Sequence, residues 1–78
     1  MNQIKLIWDF RGPNASQIAK HHATHLEEFI KLEQIENTTC HIEQVTPNHV
    51  TAFLITEKDN MNFLRERLKP NRGQLYNP

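Results

Sequence analysis

Three of the five histidines fall in the segment KHHATH, residues 20–25. His21 and His25 are four residues apart, so on a helix they lie on one side, where two imidazoles can bind one divalent metal ion. The segment also resembles the metalloprotease pattern H-E-x-x-H, but His22 replaces the glutamate that serves as general base. This excludes that protease chemistry. It leaves open a metal site at His21 and His25, a general base at His22 or His25, or a helix whose histidines have no chemical role.

Other polar residues follow strand-like segments. In residues 4–10, alternation places Asp9 on the face opposite Trp8, and the same reasoning places His41 on the face opposite Cys40. Cys40 and His41 therefore cannot form a nucleophile pair. Arg11 precedes a Gly-Pro turn at the start of a helix, where free backbone N–H groups could hold an anion. We expect Asp9, His41 and Arg11 to be the candidate ligand-binding residues.

Composition restricts the classes of function. The chain has 78 residues, which is enough for one domain, and its nine basic and nine acidic residues give a formal charge of zero. This balance argues against nucleic acid or an anionic membrane as a partner. A single cysteine allows no intrachain disulfide, and no apolar run has the length of a membrane span. We expect a cytoplasmic protein without a cofactor.

The periodicity predicts the order of the elements. Residues 4–10 form a strand, and a helix runs from Ala15 to about Ile35 with Asn14 as N-cap and Gln17 completing a capping box. The residues of its predicted buried arc are Ala15, Ile18, Ala19, His22, Leu26, Phe29 and Ile30.

The second half of the chain begins with a predicted hairpin. Two strands flank the turn TPNH, residues 46–49, with a bulge or a slightly longer loop. A second helix, about 57–69, begins at a capping box of Thr56 and Asp59. Phe63 lies off its buried stripe, and we expect the C-terminal tail or a partner to cover it. Residues 71–78 are a loose tail or a short edge strand of the single domain 1–78.

This order predicts an α+β, ferredoxin-like fold, β-α-β-β-α(-β), with an antiparallel sheet and two helices on one face. The opposite, open face would carry Ile7, Val45, Phe53 and Ile55 among charged residues. So much apolar surface favours burial by a second copy. We therefore expect a homodimer formed through the open sheet face, with a small molecule bound in the cleft between the faces. Phe53 is the one aromatic residue predicted there, which also argues against RNA binding of the kind that stacks bases on a sheet.

The segment HATHLEEFIKLEQI, residues 22–35, together with the element order, resembles the dimeric α+β barrel proteins. In these, ferredoxin-like protomers pair sheet to sheet. A branch related to muconolactone isomerase carries a His-Leu pair on its first helix, which the resemblance places at His25-Leu26. Relatives often have an acidic residue before a proline near the end of the second helix, where it can meet the histidine. Here that dipeptide is Lys69-Pro70, so a basic residue, Lys69, replaces the acidic partner that the resemblance implies.

Overall fold

The computed structural model describes residues 3–76. The strands are β1 (Gln3–Arg11), β2 (Thr39–Thr46), β3 (His49–Glu57) and β4 (Arg72–Tyr76). The helices are α1 (Ala15–Leu32) and α2 (Met61–Leu68), and a 3-10 turn at Lys58–Asn60 precedes α2.

The four strands form one sheet in the order β2-β3-β1-β4, and each neighbouring pair is antiparallel. Both helices cover the same face, because Leu26 of α1 and Leu64 of α2 pack in one core with Leu6 and Leu54 of the sheet. Burying each of these leucines contributes about 1.5–3 kcal/mol. The chain is therefore an α+β protein with a four-stranded antiparallel sheet and two helices.

The predicted alternation of β1 is confirmed. Ile4, Leu6 and Trp8 point into the helix-covered core. Ile7 points to the open face, opposite Phe53 of β3, yet only 3% of its surface is exposed. Neighbouring side chains of the open face therefore cover this central apolar residue within a single chain.

Helix α1 ends three residues earlier than predicted. Gln34 adopts a left-handed conformation (φ 53°), and Ile35 N–H donates to the carbonyl of Ile30 at 3.0 Å. Gln34 N–H donates to Lys31 at 3.2 Å, which completes the hydrogen-bond pattern of a Schellman motif. Ile35 returns to pack against the core. Because Ile35 is apolar and fits the helical period, the predicted helix included it. In the structure Ile35 lies after the end of the helix, as part of its C-terminal capping motif.

The buried face of α1 is rotated relative to the prediction. Ala23 is buried because Cys40 of β2 lies against it, with the Cys40 Sγ–H donating to the Ala23 carbonyl at 3.7 Å. Ile18 is 49% exposed, contrary to prediction. The reason is length: α1 has 18 residues and α2 has eight, so α2 is about 15 Å shorter and does not extend alongside the first turns of α1.

Neither predicted capping box forms among the described residues. Asn14 makes no side-chain hydrogen bond to the first turn of α1. The Thr56 hydroxyl accepts a hydrogen bond of 3.2 Å from the Asn60 side-chain amide instead of one from the Asp59 N–H. Thr56 is fully buried instead, and its hydroxyl shares a hydrogen bond of 2.8 Å with the Thr38 hydroxyl. This residue ties the loop after α1 to the end of β3, and the 3-10 turn separates it from α2.

Phe63 is partly covered by α1. Its ring stacks on that of Phe29 at 6.1 Å, and the Arg67 guanidinium lies 5.3 Å from the Phe63 centroid. The expected cover by the C-terminal tail is wrong for the described residues, since the tail continues into β4 on the edge of the sheet beside β1.

The hairpin and its irregularity are as predicted. Pro47 and Asn48 form the turn, and the register shifts between Gln44 and Thr46. Residues 72–76 of the predicted tail form β4, whereas Asn77 and Pro78 lie outside the described residues. Within the described chain, neither helix has the length and apolar character that a membrane span requires.

Candidate functional site

The open face of the sheet carries a group of stacked side chains centred on Phe53, which we call the Phe53 cluster. It comprises Phe53 of β3, Lys5 of β1, and His41 and Glu43 of β2. The Lys5 ammonium nitrogen lies 4.1 Å from the centroid of the Phe53 ring. The His41 ring stacks on the same Phe53 ring, with the two centroids 5.3 Å apart. Lys5 Nζ is also 4.0 Å from a Glu43 carboxylate oxygen. The cluster thus combines a flat aromatic surface with charges of both signs.

Sheet register explains why these residues meet. His41 pairs opposite Phe53, which in turn pairs opposite Ile7, so the three form one row across β2, β3 and β1. Lys5 stands two residues from Ile7 on the same face and reaches the ring diagonally. A cation above an aromatic face is attracted by the ring quadrupole. The row therefore forms a polar and aromatic patch at the centre of the open face.

Asp9 is held by side chains of two other strands. Its carboxylate accepts two hydrogen bonds of 3.0 Å from the Arg72 guanidinium of β4. It also lies 2.8 Å from the His49 Nε2 of β3, and the Asp9 N–H donates to the Asn71 side-chain oxygen at 2.8 Å. The Arg72 hydrogen bonds lower the pKa of Asp9 to about 2, against the opposing effect of burial, with a further contribution from His49. Asp9 is thus an ionised residue of β1 whose hydrogen bonds connect this strand to β3 and β4.

The three predicted ligand-binding residues, Asp9, His41 and Arg11, do not lie together in one site. β1 and β2 flank β3 on opposite sides, and Asp9 and His41 are two residues out of register, so they are about 12 Å apart across the sheet. Arg11 lies exposed at the end of β1, where it pairs opposite His49. The N–H of Gly12, which precedes the predicted anion-binding helix start, donates to the Asn48 carbonyl at 2.8 Å. His41 belongs to the Phe53 cluster, whereas the Asp9 carboxylate is hydrogen-bonded to the Arg72 guanidinium.

Arg72 and His49 were not predicted as site residues. His49 follows a turn, and Arg72 lies in the segment for which the sequence left a loose tail as an alternative. Alternation along β3 puts His49 on the face of Thr51 and Phe53, and this pattern could have placed it near Asp9.

His22 of α1 is half-buried over β1. Its ring centroid lies 5.1 Å from that of Trp8 and 5.4 Å from that of Phe10. Its Nε2 is buried and has no hydrogen-bond partner among the described residues. Burial lowers the pKa of His22, and the neighbouring His25 and His21 lower it further. The imidazole is therefore held in its neutral form near neutral pH.

His21 and His25 lie together on the exposed side of α1. Their Nε2 atoms are 3.1 Å apart, and the rings meet edge to face with centroids 4.6 Å apart. The predicted i, i+4 pair is therefore formed in space. In residues 3–76 no group of three His, Cys, Asp or Glu side chains is placed to hold a metal ion.

The position implied for an acidic partner of His25 holds Lys69. This residue follows α2 in a left-handed conformation (φ 50°). A lysine cation cannot stabilise an imidazolium as a carboxylate does. A general-base role for His22 or His25 stays a prediction.

Cys40 lies on the helix-covered side of β2, as alternation predicted. Burial raises the pKa of its thiol to about 11, and the nearby Glu27 carboxylate contributes. Since the thiolate is the reactive form, Cys40 is a poor nucleophile.

A cavity of about 290 Å³ lies between α2 and β4. Ile4 and Leu6 form part of its lining, and Arg65 and Arg72 contribute its positive charge. The guanidinium of Arg72 is already paired with Asp9. The volume is at the lower limit of small-molecule pockets.

Comparisons of the chain with protein-family models, with curated proteins and with solved structures gave no match.

Proposed function

We propose that this chain is a ferredoxin-like protein whose protomers pair through the open sheet face, and that the pair binds a small molecule between the two faces. The element order and the strand order β2-β3-β1-β4 support the fold assignment, with both helices on one side. A cytoplasmic location remains part of this proposal.

The observation that carries the proposal is the Phe53 cluster. A two-fold axis brings the same patch of both protomers together, so a self-complementary patch must contain groups that attract their own copies. Lys5 and Glu43 lie within this patch, and the axis can set Lys5 of one protomer against Glu43 of its partner. Phe53 and Ile55 supply partly exposed apolar surface beside these charges.

The coverage of Ile7 affects the expected strength of pairing. With Ile7 already buried inside one chain, the surface left to the interface is mixed polar and apolar. Such composition is typical of non-obligate interfaces. We therefore expect a dimer in equilibrium with a folded monomer.

The same cluster supports a proposal for the class of ligand. A planar ring can lie against the exposed edge of the Phe53 ring, and an anionic group on it can pair with Lys5, which lies over that ring. We propose an aromatic carboxylate or a similar planar anion.

Light scattering on a size-exclusion column, at several concentrations, tests the pairing. The wild type should approach twice the chain mass of 9.2 kDa as concentration rises. Phe53→Glu should move the equilibrium to the monomer by burying a charge at the interface. Leu32→Glu is the matched control, because Leu32 is 80% exposed at the end of α1, away from the sheet. Circular dichroism confirms that both variants fold.

A wild type at single-chain mass throughout the concentration range contradicts the proposal. So does a Phe53→Glu variant that folds and remains a dimer. For the ligand, a panel of aromatic carboxylates is added to isotope-labelled protein. Amide shifts centred on Lys5, His41 and Phe53 support the site, whereas shifts elsewhere in the sheet or the helices refute it.

A further inference from the structure

The five histidines have different surroundings, and two of them form a pair. His22 points toward the core, His41 stacks on Phe53, and His49 is bonded to Asp9. His21 and His25 lie together on the solvent side of α1. We propose that His21 and His25 form a two-histidine chelate for a divalent transition metal ion.

The spacing of the two nitrogen atoms fits shared coordination. A metal–imidazole bond of about 2.0–2.1 Å places two ligands about 2.9 Å apart at a right angle and about 3.4 Å apart in a tetrahedron. The Nε2 atoms of His21 and His25 are 3.1 Å apart, between these limits. A metal ion can therefore bind with little change in either ring.

The helix holds this geometry in place. His21 and His25 occupy the middle of an 18-residue helix, so helical hydrogen bonds extend on both sides of them. The opposite side of α1 is fixed by Ala19, Ala23 and Leu26, which are buried against the sheet. Since the backbone is already ordered, the conformational entropy lost on binding is limited to that of two exposed side chains.

Without metal, the same distance allows a hydrogen bond between two neutral imidazoles. One ring then donates the proton that the other accepts. Such an exposed bond competes with water and adds little to the stability of the helix. When a metal ion binds, the donating ring exchanges its Nε2 proton through solvent for one on Nδ1, so that both rings stay neutral and both Nε2 lone pairs engage the ion.

The ligand set restricts the ion. Imidazole nitrogen suits Cu²⁺, Ni²⁺ and Zn²⁺, whereas Ca²⁺ and Mg²⁺ prefer oxygen. Within residues 3–76 no third metal-binding side chain joins the pair, so water completes the coordination. Glu28, three residues after His25, adds negative charge on the same side of the helix. The site favours Cu²⁺ over Ni²⁺ and Zn²⁺ by the general order of affinity.

Isothermal titration with NiCl₂ tests the proposal on the full chain. Wild type should bind one ion per chain, and His21→Gln and His25→Gln should each weaken binding at least tenfold. Glutamine keeps the helix because it is a good helix former. His41→Gln is the matched control, since His41 is also exposed but lies on β2, and its affinity should stay within twofold of wild type.

A thermal readout separates chelation from loss of fold. Saturating Ni²⁺ should raise the unfolding midpoint of wild type and of His41→Gln, because the ion binds the folded helix. The midpoints of the two α1 variants should not move, although both unfold cooperatively without metal. Equal Ni²⁺ affinity in wild type and either α1 variant would overturn the proposal. Absence of binding by wild type at millimolar Ni²⁺ would do the same.

Discussion

Replacing Asp9 by asparagine should remove a pH-dependent part of the stability. The side chain of Asp9 is 19% exposed and bonded to Arg72, whose hydrogen bonds hold its pKa at about 2 instead of 3.8. This difference corresponds to about 2.4 kcal/mol. Arg72 is 52% exposed, so solvent screening reduces the contribution to about 1–2 kcal/mol.

The sign of the pH dependence follows from the lowered pKa. Asp9 stabilises the folded chain at pH values well above 3.8, and this stabilisation is lost as the pH falls through 3.8 toward 2. At pH 2.5 about a third of it should remain. Below that pH the protonated aspartic acid resembles the asparagine of the variant, so the difference between the proteins should disappear.

Urea denaturation of wild type and Asp9→Asn at pH 7, 4 and 2.5 measures this effect. The difference in unfolding free energy should be about 1–2 kcal/mol at pH 7 and fall by more than half at pH 2.5. Glu43→Gln is the control, because Glu43 is 60% exposed and lies 4.0 Å from its partner Lys5; its effect should stay below about 0.5 kcal/mol. A difference for Asp9→Asn that is constant from pH 7 to 2.5 refutes the reasoning, as does equal stability of the two proteins at pH 7.

Three further predictions concern the core, the end of α1 and the thiol. Leu64→Ala should lower the unfolding free energy by about 2–5 kcal/mol in urea denaturation, because Leu64 is fully buried between helix and sheet; a loss below about 1 kcal/mol would contradict its place in the core. Gln34→Gly should raise that free energy by about 0.5–1 kcal/mol, since glycine adopts the left-handed conformation without strain, whereas a destabilised variant would argue against the Schellman motif. Cys40 should react with a disulfide reagent at pH 8 about 100-fold more slowly in the native chain than in urea, because its thiol pKa is raised to about 11; similar rates would show that the thiol is accessible and ionised.

The elements could be predicted because their signals are local. Alternation in residues 4–10 placed Leu6 and Trp8 in the core, and the Pro47-Asn48 turn predicted the hairpin with its bulge. The end of α1 was missed for a tertiary reason. Ile35 fits the apolar period of a continuing helix, but Gln34 takes a left-handed conformation in place of the usual glycine and directs Ile35 back to the core.

The buried face of α1 was predicted only in part, again because tertiary contacts decide it. Helical periodicity assigns Ile18 and Ala23 to faces but does not say how far the second helix extends. In the fold, α2 ends after two turns and leaves Ile18 exposed, while Cys40 of β2 covers Ala23. Burial on α1 is thus decided by the neighbouring elements.

The candidate sites differ in how far along the sequence their partners lie, and this separation decided what could be predicted. His21 and His25 are four residues apart, so helical spacing alone brings them together. His41 meets Phe53 through the register of one hairpin, and alternation predicted their common face.

Asp9 and Arg72 are 63 residues apart, and their contact requires β4 to pair with β1 at the edge of the sheet. No local pattern specifies that pairing, so the sequence predicted Asp9 as a ligand-binding residue without indicating its contact with Arg72. The same difference makes the two proposals independent. The chelate requires α1 alone, whereas the paired faces require the whole sheet with β4 in register. A change that disturbs the sheet face without unfolding the chain should abolish pairing and leave the affinity of His21 and His25 for metal unchanged.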